Sequence, residues 1–139
     1  MIAKMKLTSP LLRKLETAAK LGAKRAYSPY SKFPVGAAVL AKSGKIYAGC
    51  NVENASYGLC NCAERTAIFS AIAAGEYAIT AVIVYTPTAS PTAPCGACRQ
   101  VINEFGPNAV VLSVCDGKER LQMPIAELLP FAFGPKDLP

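Results

Sequence analysis

Three cysteines and one glutamate carry the chemistry that this chain offers. Cys95-Gly96-Ala97-Cys98 spaces two thiols one helical turn apart, so both sulfurs can reach one ion. Cys62 stands just before one apolar helical run and Cys95 just before another. Two helix N-termini can therefore point at one spot, where exposed N–H groups and dipole ends favour the negative charge of thiolates. The chain has no histidine, so sulfur and carboxylate oxygen are the side-chain donors left to hold a zinc ion. Glu64 lies two residues past Cys62, on the first helical turn. A general base must sit within hydrogen-bond reach of a metal-bound water, and that position permits it. The plainer reading of Glu64 is a carboxylate placed for the helix dipole. Arg65, three residues past Cys62, can donate to a ligand sulfur and offset the formal charge of about −1 that three thiolates leave on a zinc site.

A structural zinc site has four protein ligands, whereas a catalytic one has three and a water. Cys60 is the candidate fourth ligand, which would give a closed site from Cys60-x-Cys62 and Cys95-x-x-Cys98. One residue between two ligands is tight for a single zinc, so the spacing favours the open three-cysteine site. Cys50 and Cys115 fall in apolar, strand-like runs and read as small core residues.

The elements that must position these residues follow from periodicity. Thr8 or Ser9 with Pro10 marks a helix start, and Leu11, Leu15, Ala18, Ala19, Gly22 and Ala26 repeat at helical spacing. Arg13, Glu16, Lys20 and Lys24 take the opposite face, with Leu21 off the apolar stripe. An ordered loop with two prolines, Tyr27 to Pro34, precedes a β-hairpin with strands over 35–40 and 46–52. Residues 63–74 predict a helix apolar nearly all round, buried on several sides and in part by another subunit, with Gly75 as its cap. A strand over 78–86, a helix over 96–105 with Ala97, Val101, Ile102 and Phe105 inward, and a strand over 109–115 follow. Residues 118–122 suggest an edge strand and 124–129 a short helix. The tail displays Phe131 and Phe133 beside prolines. Helices between the later strands argue an α/β fold, a mixed sheet covered on both faces.

Composition bounds the class. At 139 residues the chain is expected to be one domain, 1–139. It is 52% hydrophobic, with a mean hydropathy of +0.27. No apolar run approaches the ~20 residues of a membrane span. The stretch 1–14 has lysines but no sustained apolar core, so a cytoplasmic location is the default expectation. The six cysteines are clustered, which favours metal binding over a disulfide frame. The net charge is +6, and ten of the 15 basic residues lie in the first 45 positions against one acid, Glu16. A nucleic-acid footprint is possible, but a solvated helix face is the favoured account.

Taken together, Asn61-Cys62-Ala63-Glu64-Arg65 and Pro94-Cys95-Gly96-Ala97-Cys98-Arg99-Gln100 resemble the motifs of the small, all-cysteine, zinc-dependent cytidine deaminases. The likeness runs along nearly the whole chain. It includes the loop and strand from Tyr27 to Ala38, the segment Gly49 to Gly58, and the tail from Leu128 to Leu138. Cys60 is the departure from the pattern, an extra thiol close to a metal ligand.

The resemblance implies a three-layer α-β-α sandwich on a mixed five-stranded sheet, one Zn2+ per subunit, and a homotetramer with active sites shared between subunits. It implies hydrolytic deamination of cytidine and 2′-deoxycytidine in pyrimidine salvage, with Glu64 as proton carrier and Cys62, Cys95 and Cys98 as ligands. Asn51 and Glu53 would bond the ribose 3′-hydroxyl, and Phe33 would pack on the nucleoside. The backbone of Ala63 and Cys95 would read the pyrimidine edge. Ala55, Tyr57 and Phe133 would reach a neighbouring subunit's pocket, with Phe133 stacking on the base. Phe131 is expected to pack in the core. Deamination of a nucleoside antibiotic, editing of RNA or DNA, and a four-cysteine structural zinc module are the alternatives.

Overall fold

A computed structural model describes residues 7–139; Lys4 and Lys6, part of the basic N-terminal stretch, lie outside the described residues. Helix α1 (Ser9–Ala23) starts at Thr8, whose hydroxyl accepts the Leu11 N–H at 3.4 Å, with Pro10 in the first turn. Its stripe of Leu15, Ala19, Gly22 and Ala23 is buried. The helix ends short of the predicted Ala26, because Tyr27 leaves to bridge Val52 in parallel. Leu21, off the stripe, is exposed. Glu16 pairs with Lys20 and with Arg120, each at 3.1 Å, so the outer face is a solvated ionic surface.

Strands β1 (Gly36–Ala41) and β2 (Ile46–Cys50) form the expected antiparallel hairpin, turned at Gly44 with φ of 95°. Helix α2 (Ala63–Ala73) leads to β3 (Ile79–Tyr85), then α3 (Gly96–Phe105), β4 (Val110–Val114), β5 (Leu121–Pro124) and the single turn α4 (Ile125–Leu128). The five strands lie in the order β2-β1-β3-β4-β5. β3 and β4 run parallel, joined across α3, and every other neighbouring pair is antiparallel.

Alternation divides the core. Ala37, Val39, Val82 and Val111 face α2, α3 and α4 with Ala67, Ile68, Ile102 and Ile125. Ala38, Leu40, Ala81, Ile83, Leu112 and Val114 face α1 with Leu15 and Ala19. The sheet is thus the middle of three layers, and β1 is buried along its whole length. Two glycines set the layer spacing. A Cβ on Gly36 would lie 1.8 Å from the Ala19 carbonyl oxygen, and one on Gly49 would lie 2.3 Å from the Ala67 nitrogen.

Four expectations are corrected. The edge strand begins at Leu121, not Lys118, because Cys115 and Asp116 first tie the chain back to Ala89 and Thr88. On α3 Ile102 faces inward with Val101 and Phe105 packed against the core as expected, but Cys98 is buried too and Ala97 is exposed. Within one chain α2 buries one face, with Phe69 47% exposed on the other. Cys115 is buried as expected, but Cys50 is only half-buried, near the end of the β2 edge. Phe131 is fully exposed, in the left-handed region with φ of 55°, and takes no part in the core. No described helix is long and apolar enough to cross a membrane.

Candidate metal centre

Cys62 and Cys95 are the N-caps of α2 and α3, and neither side chain caps its own helix. Both sulfurs are left to point outward from a helix start, and they stand 3.7 Å apart. Cys98, on the first turn of α3, brings the third. All three sulfurs lie within 4.8 Å of one another, the one such cluster of metal-ligating side chains among the described residues. The two helices stand side by side on one face of the sheet, so the first-turn N–H groups of both are directed at the sulfurs.

The electrostatics suit a cation. Cys62 is drawn down to about 5 by its hydrogen bond with the Cys98 thiol, against the opposing effect of burial and with help from Arg65. Cys98 is pushed the other way by the same bond and by its burial, so the proton of the pair resides on the deeper sulfur. Arg65 donates through Nη2 to the Cys62 sulfur at 3.3 Å, and that thiolate strengthens its hold on its own proton. Its buried Nε has no hydrogen-bond partner among the described residues. Three sulfurs at metal-ligand separation, one already ionised, fit a zinc ion.

Cys60 does not join them. Its sulfur accepts the Asn54 N–H at 3.3 Å and turns to the Asn54 carbonyl at 3.6 Å, closing the 54–60 loop. The cluster therefore has the three protein ligands of an open site.

Glu64 is 4% exposed, buried at the start of α2. Burial holds its carboxyl above the usual range, while its own helix N–H and the Cys98 thiol pull the other way. A carboxyl so placed beside the sulfurs can both take and release a proton.

Asn51 and Glu53 bond to the stretch from Tyr27 to Val35. Asn51 Oδ1 accepts the Val35 N–H at 2.9 Å, and Nδ2 donates to the Phe33 carbonyl at 2.8 Å. Glu53 Oε1 accepts the Tyr30 and Ser31 N–H groups at 3.0 and 3.1 Å. The Ser31 hydroxyl leads in holding the Glu53 carboxyl below its ordinary value, against desolvation, with the two backbone donors and Lys32 adding to it. Tyr30, Ser31, Glu53, Tyr57 and Cys60 line a cavity of about 330 Å³. The Tyr30 and Tyr57 rings meet edge to face at 5.9 Å. Phe33 borders this region at 38% exposure, Ala63 is buried beneath Glu64, and Ala55 and Tyr57 lie in an exposed loop. Phe133 is 58% exposed in this single chain.

Sequence reasoning passed over Arg99 and Gln100. Arg99 donates to the Pro94 carbonyl at 2.8 Å and the Leu128 carbonyl at 2.9 Å, and Gln100 donates to the Phe133 carbonyl at 2.9 Å. Together they tie the ligand helix to the tail. Their place straight after Cys98 was the available signal, but partners about thirty residues away leave no local spacing to read.

Residues 11–114 match the family described as the cytidine and deoxycytidylate deaminase zinc-binding region. A cytidine deaminase of Sporosarcina psychrophila is 47% identical over 128 residues, covering 91% of this chain and 94% of that one. One from Halalkalibacterium halodurans is 49% identical over 115 residues, covering 81% and 86%. The crystal structure of cytidine deaminase from Burkholderia pseudomallei superposes with a TM-score of 0.84 at 51% identity, covering 87% of this chain and 98% of that one.

Proposed function

Because this chain belongs to the cytidine and deoxycytidylate deaminase family, we propose that it hydrolytically deaminates cytidine and 2′-deoxycytidine to uridine and 2′-deoxyuridine, with release of ammonia. One observation carries the reading: three cysteine sulfurs converge from two helix starts, with the buried Glu64 beside them and Cys60 turned away. Cys62, Cys95 and Cys98 would hold the zinc, which would supply a Lewis acid able to make water ionisable near neutral pH.

The chain's own residues do the rest. Glu64 takes a proton from the attacking water and delivers it to N3 of cytosine. It then carries a second proton to the amino group, so that the C4–N bond breaks as the C4 carbonyl forms. Its burial suits this shuttle, because a carboxyl lifted above its usual range releases a proton less reluctantly held than water's and accepts one readily. Arg65 keeps the Cys62 sulfur ionised and oriented. The backbone of Ala63 and Cys95 reads the pyrimidine edge. Asn51 and Glu53 meet the ribose 3′-hydroxyl, and Phe33 packs against the nucleoside.

The chain acts as one domain and assembles as a homotetramer, with Ala55, Tyr57 and Phe133 serving a neighbouring subunit's pocket. What supports the assembly is the apolar surface one chain leaves open: Phe69, Tyr77, Leu59 and the two tail phenylalanines. Pyrimidine salvage in the cytoplasm suits the reading, since six cysteines without a disulfide fit a reducing compartment.

The test is the ultraviolet absorbance of cytidine incubated with purified protein of measured zinc content. Loss of the cytidine band is expected. An unchanged spectrum with zinc bound points instead to a structural zinc module. Sedimentation at about four times the chain mass checks the assembly.

A further inference from the structure

The segment 28–35 beside the cavity is built without support from any strand. It contains Pro29 and Pro34, which lack an N–H, and Lys32 in the left-handed region with φ of 59°. Five backbone N–H groups remain between Pro29 and Val35. Lys32 bonds to the Ser28 carbonyl and Phe33 to the Ser31 hydroxyl, both within the loop. The other three, on Tyr30, Ser31 and Val35, end on the side chains of Glu53 and Asn51. Asn51 also donates to the Phe33 carbonyl. Residues two apart in an extended segment present their side chains to the same side. Backbone bonds from Tyr27 to Asn51 and Glu53, and from Asn51 to Val35, close the base of the loop on that same segment.

We propose that Asn51 and Glu53 are positioning residues, acting on the reaction through the 28–35 loop, whose backbone they hold in the shape that presents Tyr30 and Phe33 to the nucleoside. The inference rests on the deaminase reading and deepens it. A contact with the sugar and a hold on the loop are compatible. Glu53 takes both backbone donors of the loop on one oxygen, Oε1. Without the hold, a left-handed lysine between two prolines has little to keep it ordered, and the cost appears as weaker binding of any nucleoside, whichever hydroxyls it carries.

The experiment pairs hydrogen exchange of the peptide spanning 28–35 with kinetics on cytidine and 3′-deoxycytidine, for the zinc-loaded wild type, Asn51→Ala, Glu53→Ala and Glu53→Gln. The alanine variants should speed exchange in this peptide about tenfold and raise KM for 3′-deoxycytidine about tenfold, with at least that rise for cytidine, which also loses the 3′-hydroxyl contact, and a smaller change in kcat. Glu53→Gln, whose amide oxygen can accept the same two N–H groups, should keep the loop protected, and it serves if an alanine variant does not fold. The proposal is overturned if exchange is unchanged, or if the variants turn over 3′-deoxycytidine as the wild type does while losing activity on cytidine alone. A wild type inert toward cytidine sinks the deaminase reading instead, and the exchange data still decide whether Asn51 and Glu53 hold the loop.

Discussion

The Arg65 guanidinium lies 3.3 Å from the Cys62 sulfur, donating to a thiol that Cys98 also bonds. The sulfur is exposed on one side and ionised, while its partner thiol is buried and keeps its proton. In the metal-free protein, Cys62 should therefore react with an alkylating reagent as a thiolate down to about pH 5, against an ordinary thiol value of 9.0. The sign is that of a depressed acid. The stability it lends is complete above the ordinary value and is lost as pH falls through about 5. Arg65→Gln should move the alkylation midpoint upward and speed zinc loss to a chelator about 10–100-fold. An unchanged midpoint would separate Arg65 from the sulfur's ionisation.

Glu64→Ala should retain zinc and lose turnover by about 10²–10⁴-fold. Zinc content beside the ultraviolet assay checks it, and near-native activity would remove Glu64 from the proton path. Burial also makes a second prediction. A carboxyl held above 4.5 is costly to ionise in the fold, so its effect turns unfavourable as pH rises past that value. Glu64→Gln should raise the thermal midpoint of the metal-free protein at neutral pH, with less gain in acid.

Cys60→Ala should leave one zinc per chain, because its sulfur serves Asn54 and not the cluster. Losing an acceptor for the Asn54 N–H should cost about 1 kcal/mol, read as a small drop in the thermal midpoint. Cys98→Ala should lose the metal. Equal zinc loss in both variants would restore the four-cysteine site.

Gly49→Ala would force a methyl to within 2.3 Å of the Ala67 nitrogen, backbone that cannot rotate away. A destabilisation of about 3 kcal/mol or more is expected from such overpacking, and zinc binding should weaken with it, because α2 carries Cys62. Denaturant unfolding measures the first effect and chelator competition the second. Gly58→Ala, with open space around it, is the control and should change neither.

Much of the metal site was legible in order along the chain. Cys62 and Cys95 each precede a helical run, and Cys98 lies one turn on, so helix geometry alone sends three sulfurs outward from two N-termini. The hairpin and the parallel β3–β4 pair across α3 followed from apolar runs and turn residues, which act over a few positions. The sequence by itself thus determined that the sulfurs of Cys62, Cys95 and Cys98 meet, with a carboxylate beside them and the layers behind them.

Tertiary structure decided what depends on distant partners. Whether the Cys60 sulfur joins the other three turned on which way one side chain rotates, and its bond to Asn54, six residues back along the chain, turns it away. The grip of Asn51 and Glu53 on the 28–35 loop spans 16 to 23 residues, and that of Gln100 on Phe133 spans 33. Periodicity cannot report such pairs, because it records which face a residue takes and not what chain segment arrives there. Phe131 makes the same point from the other side: an apolar residue among prolines reads as core, yet its left-handed backbone carries the ring wholly into solvent.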